Sequence, residues 1–167
     1  MTYTTRNFTA AAAMLSILVI MHQTAKAQSE NVRYINQRFD YSVVYPADKL
    51  VAEPESDNGD GRRFHARKGS ATMLIWASFN VLDETPASIA REAPQECGGR
   101  TPSYKLIKPD LVAISCLSPA GIIFWQKTVI RGDVLTTVQI TYPKSERATW
   151  DPVVRLVSAS LRPGQDF

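Results

Sequence analysis

The chain has 167 residues, 19 Lys and Arg against 16 Asp and Glu, a formal charge of +3 and two cysteines. One domain is the default at that length, and 44% hydrophobic with 21% charged residues suits a globule rather than a disordered tail. Eight scattered glycines, no heptads and no repeated apolar spans exclude collagen-like, coiled-coil and multi-pass membrane classes.

Residues 1–27 read as a cleaved secretory signal. Arg6 and the terminal amine supply positive charge, and no acid appears before Glu30. Ala10 to Met21 is an apolar run, and Ala25-Lys26-Ala27 puts small residues at −3 and −1 of a cleavage site before Gln28. The alternative is an uncleaved anchor, but Ala10–Met21 is well short of the roughly 20 apolar residues a spanning helix needs. No cysteine lies near the cleavage site, which argues against a lipoprotein. Cleavage removes Arg6 and Lys26, which takes the charge from +3 to +1, and leaves 28–167 as a single α+β domain. A global argument for an anionic partner leaves with the signal.

Along the mature chain, Phe39, Tyr41, Val43 and Tyr45 share one face of a strand stopped by Pro46. Glu53 to Gly61 is polar and turn-rich, with Asn58-Gly59 and Asp60-Gly61 both suited to positive φ. Arg62–Arg67 is a short strand with Phe64 and Ala66 on one side. Ala71–Val81 is apolar on both faces, as a central strand covered on both sides should be. Thr85 then caps a two-turn helix that begins at Pro86 and that Pro94 ends. Four strands follow at hairpin spacing, Tyr104–Lys108, Leu111–Leu117, Ile122–Ile130 and Val134–Tyr142. Trp150, Val153, Val154, Val157 and Leu161 make the apolar stripe of a last helix, ended by Pro163-Gly164. The sum is an α+β fold: an antiparallel sheet of about six to eight strands with a short middle helix and a C-terminal helix.

Tyr34-x-Asn36-x-x-Phe39-x-Tyr41-Ser42-Val43-x-Tyr45-Pro46 is similar to the opening of PsbP-like proteins. Tyr142-Pro143 through Val153–Leu161 resembles their closing strand and C-terminal helix. Pro54–Phe64 resembles a group of small secreted proteobacterial proteins with no assigned function. The resemblance spans most of 33–162 and implies an α/β/α sandwich around an antiparallel sheet. It also implies a non-enzymatic accessory, assembly or binding role. The photosynthetic members bind photosystem subunits, and nothing in these residues points to that partner.

The residues themselves offer several candidate sites. Outside the cytosol, Cys97 and Cys116 pair most simply as one structural disulfide; their spacing is far from a Cys-x-x-Cys redox motif. Glu53, Glu55, Asp57 and Asp60 are weak metal candidates, because calcium takes several oxygens from a flexible turn. Counted from Glu55, however, the twelfth position is Ala66 rather than Glu, and a solvated turn accounts for the acids equally well. No cofactor is expected. His65 is the one imidazole left after cleavage, and no Gly-x-Ser-x-Gly elbow accompanies it. Arg62, Arg63, Arg67 and Lys68 form a local basic run that could meet an anionic group. Without basic–aromatic interleaving, nucleic acid is not an expected partner. Trp76, Phe79, Phe124, Trp125, Tyr142 and Trp150 are either core or the lining of a ligand cleft. Arg62, Arg63, Arg67, Trp76 and Trp125 are therefore the binding candidates. The expected function is that of an exported periplasmic accessory or binding protein, with an envelope protein or small ligand as partner and no membrane anchor after cleavage. The alternative is a small periplasmic hydrolase using His65 or two carboxylates that meet in space.

Overall fold

The computed structural model describes residues 1–2 and 30–164, so nearly all of the expected export signal lies outside the described residues. Strands β1 (Asn31–Ile35) and β2 (Ser42–Pro46) form a separate hairpin. Strands β3 (Leu50–Glu55), β4 (Gly61–Ala66), β5 (Thr72–Phe79), β6 (Tyr104–Lys108), β7 (Leu111–Leu117), β8 (Ile122–Arg131) and β9 (Val134–Pro143) make one antiparallel sheet. Its order is β3-β4-β5-β9-β8-β7-β6. Helix α1 (Pro86–Glu96) carries the chain from β5 to the far edge, and α2 (Arg147–Ser160) follows β9 after a short 3-10 turn.

One face of the sheet holds the main core. Because side chains alternate along a strand, Met73, Ile75 and Ala77 of β5 lie opposite Ile140, Val138 and Thr136 of β9. Phe64 of β4, Trp125 of β8 and Tyr41 and Val43 of the hairpin fill the same layer. The stripe of α2 closes it: Trp150, Val153, Val157 and Leu161 are all buried. Burial of an aromatic of this kind contributes about 2–3 kcal/mol. Polar contacts fix the helix in place, with the Trp150 Nε1–H donating to Glu146 (2.8 Å) and the Tyr142 hydroxyl to Asp151 (2.8 Å). Lys127, on the core side of β8, donates to the Ser158 carbonyl at 2.8 Å. Burial is the main reason its ammonium titrates below the usual lysine range, with Arg162 and Lys108 adding to the shift.

The hairpin is tied down by a buried amide. Asn36, fully enclosed, donates to Glu55 Oε1 (2.7 Å) and the Gly59 carbonyl (2.8 Å), and accepts from the Phe39 N–H (2.8 Å). Tyr34 donates to the same Glu55 oxygen at 2.6 Å. Burial and the Glu55 contact push the Tyr34 hydroxyl up, and burial pushes up Tyr41 and Tyr142 as well.

Several local expectations change. The segment from Leu50 begins as a strand, β3, before the polar turn. The first aromatic strand starts only at Ser42, since Asp40 turns the chain with φ of 49°. Thr85 does cap α1, sharing reciprocal bonds with Ser88 (3.1 and 2.8 Å). Pro94 does not end it. The helix runs to Glu96, forgoing one backbone N–H bond, and the Cys97–Cys116 disulfide then fastens it to β7. β5 is covered on one side only: Leu74 and Trp76, on its second face, are half-buried. That face is roofed by α1 only over β6, β7 and β8, where Ala90, Val112, Ile114, Phe124 and the two cysteines form a small second core.

Candidate functional site at Trp76

The uncovered part of the second face is where the sheet meets solvent. Register places Gly61, Trp76, Thr137, Thr128 and Val112 in one row across β4, β5, β9, β8 and β7. The row is large in the middle and empty at Gly61. A Cβ there would fall 2.2 Å from the Ile75 carbonyl oxygen and 2.8 Å from Trp76 Cβ, so only glycine lets β4 close on β5 at this point. Trp76 therefore stands between two depressions.

The first is a cleft of about 240 Å³ between α1 and the sheet. Trp76, Ser78, Gln126, Thr128, Leu135 and Thr137 come from the strands; Ile89, Glu92 and Gln95 come from α1; Glu84 comes from the loop before it. The Thr128 and Thr137 hydroxyls bond each other at 2.9 Å, and the Gln126 amide reaches Thr128 at 3.4 Å. Asn80 holds the loop: its side chain donates to the Glu84 carbonyl (2.9 Å) and accepts the Glu84 N–H (2.7 Å). That clamp leaves Val81 and Leu82 standing in solvent at the loop's tip. The second depression, about 310 Å³, lies on the other side of Trp76 and takes in Ser56, Asp60, Gly61, Arg63 and Leu74.

Of the binding candidates read from the sequence, Trp76 and Arg63 reach this face. Arg62 also borders the second depression, but its guanidinium lies on the other side of β4, 4.8 Å from the Tyr34 ring centre and 3.7 Å from Glu55. Arg67 donates to the Ala47 carbonyl at 2.7 Å and lines a separate hollow with Lys49, Lys68 and Trp150. Arg67 thus lies apart from Arg62 and Arg63, which both border the second depression. Trp125 is buried in the main core, 6% exposed. Glu55 is occupied by Tyr34, Asn36 and Arg62, while Asp60 accepts from Ser56 (2.7 Å) and Asn58 (2.7 Å) within the turn. Asp57 is exposed on that turn, and among the described residues no three His, Cys, Asp or Glu side chains converge as a metal site. His65 lies exposed on β4 with its Nδ1 3.2 Å from Glu53, and does not line the cleft.

Glu84, Glu92, Gln95, Gln126, Thr128 and Thr137 were not singled out by sequence. A signal existed for some of them. Gln126 and Thr128 on β8 and Thr137, Gln139 and Thr141 on β9 recur at period two within central strands, marking a face that apolar packing does not fill.

No protein-family model matches the chain, and no curated protein matches its sequence. Among solved structures it is similar to the solution structure of cyanobacterial PsbP (CyanoP) from Synechocystis sp. PCC 6803. The TM-score is 0.59 at 10% sequence identity, over 83% of this chain and 95% of that one. At such identity the likeness is one of fold. The layers described above, hairpin with α2, antiparallel sheet and α1, are accordingly a PsbP-like α+β sandwich, as the aromatic opening strand and closing helix implied.

Proposed function

We propose that the chain is exported to the bacterial periplasm and serves there as a non-catalytic binding or accessory protein, its ligand or partner held at the Trp76 cleft. The observation that carries this reading is the half-covered sheet face: an aromatic between two depressions, with polar side chains on strands otherwise built for a core. The disulfide fits an oxidising compartment, and the signal-like residues 1–27 fit export. A second reading, hydrolysis by paired carboxylates, draws on Glu84 and Glu92 lining the same cleft.

The test is made in growing cells expressing the full chain. A photo-crosslinking amino acid replaces Gln95 in the cleft, or Lys105 on the far edge strand as a control. The expected result is a periplasmic protein whose mass begins at Gln28 and whose adducts form from position 95 and not from 105. A cytoplasmic protein starting at Met1, or adducts from 105 alone, overturns the proposal. Turnover in a hydrolase screen that disappears with Glu84→Gln establishes the second reading instead.

A further inference from the structure

We infer that the cleft takes one ring of a short neutral saccharide against the Trp76 indole, with the rest of the chain continuing across Trp76 into the depression beside Gly61. This rests on the reading of the cleft as the binding site. Among the described residues no Lys, Arg or His lines the cleft, whereas Glu84 and Glu92 do. A phosphate or carboxylate ligand would meet like charge there without a counter-ion. A simple cation would use the two carboxylates and leave the donors idle. Those donors are the amides of Gln95 and Gln126 and a threonine hydroxyl, so the lining offers donors and acceptors together, which is what a polyol presents in return.

The threonine pair adds an independent observation. Thr128 and Thr137 are 2% and 5% exposed and bond one another. Two hydroxyls carry two hydrogens and one lies between them. Whichever residue donates, the other hydrogen has no acceptor among the described residues, on the floor of the cleft. A ligand oxygen would satisfy it; an apolar ligand would seal it in at a cost. Trp76 supplies the flat apolar surface on which the C–H face of a pyranose rests. Size points the same way. A cleft of about 240 Å³ falls below the roughly 300–1,000 Å³ of drug-sized sites, which suits a single ring. Beyond Trp76, Ser56, Asp60 and Arg63 offer polar partners to a second ring.

The test is isothermal titration of the full-length-expressed protein with maltotriose, cellotriose and chitotriose, with tri-lysine and inorganic phosphate as competing probes. At least one trisaccharide is expected to bind with Kd on the order of 1 mM or tighter. Trp76→Ala should weaken it about tenfold or more, and Glu92→Ala, an exposed α1 residue at the cleft, roughly three- to tenfold. Trp76→Phe, which keeps a ring, should retain most of the binding and guards against misfolding of the alanine variant. Binding of tri-lysine or phosphate in place of every sugar overturns the inference, as does sugar binding indifferent to both alanine variants. If the sugars fail while cleft crosslinks still form, the ligand class is wrong and the binding role stands; failure of both removes both.

Discussion

Reduction of the Cys97–Cys116 bond tests how α1 is held over the cleft. The helix has 11 residues, includes Pro94 and packs on β6, β7 and β8 through a small core. A helix of that length is marginal without tertiary support. The bond closes a sequence separation of 19 residues. Loop-closure entropy for about 20 residues comes to ~11 cal/mol/K, or about 3 kcal/mol at 25 °C. For a domain near this size that corresponds to a melting temperature lower by about 10 °C. The assay compares oxidised protein with the same protein in reductant, which keeps both sulfurs in place and so avoids a cavity. Hydrogen exchange is measured alongside. The α1 amides should lose protection before those of β5 and β9, because the central strands keep their own core. A melting temperature unchanged within about 1 °C, with α1 exchange also unchanged, would refute the claim that the disulfide anchors the roof.

Three further outcomes follow from the packing. Asn36→Ala removes the amide that serves Glu55, Gly59 and Phe39 inside the hairpin turn; it should cost about 3 kcal/mol, read as a urea midpoint lower by roughly 1–2 M. Thr85→Ala removes the cap bond to Ser88 and should cost α1 about 1 kcal/mol, seen as faster exchange of the α1 amides with the sheet unaffected. In alkali the tyrosines set the sign. Tyr34, Tyr41 and Tyr142 ionise above their usual range when folded, so their contribution is fully present below pH ~10 and declines as pH rises further. Each withdraws roughly 1.4 kcal/mol per pH unit once the unfolded chain ionises. Lys127 acts oppositely and earlier, stability gaining as pH rises from its lowered folded value toward ~10.4. Tyrosinate absorbance should therefore rise together with loss of circular dichroism; a smooth titration of these three in folded protein would contradict the burial argument.

The architecture was legible because its signals are local and periodic. Trp150, Val153, Val157 and Leu161 wrote α2 directly, and the turns at Gly121 and Gly132 separated the last strands. Two cysteines, read with the expectation of export, named their own bond. Pro94 misled because a proline is tolerated when tertiary contacts hold the helix beyond it, here a disulfide one residue past its end. Gly61 misled in another way: it reads as a turn residue, yet it sits in β4 where the strand must close on Ile75 and Trp76. The cleft was the least legible part. Its floor depends on which strands become neighbours: β8 and β9 pair locally as a hairpin, but β9 meets β5 only through long-range pairing. Glu84 and Glu92, unremarkable in a loop and a helix, meet Thr128 and Thr137 only once that order is known.

The central claim is that the chain meets its ligand at Trp76, and the three tryptophans allow a direct test. Trp76 lies half-buried on the open face, whereas Trp125 and Trp150 are buried in the main core at 6% and 2% exposure. Protein labelled with 5-fluorotryptophan should give three fluorine resonances, assigned by single Trp→Phe replacements. On addition of a small-molecule extract of the cell envelope, the Trp76 resonance should shift or broaden while the other two stay in place. Movement of Trp125 or Trp150 with Trp76 unchanged, or no movement of any resonance, would contradict the account.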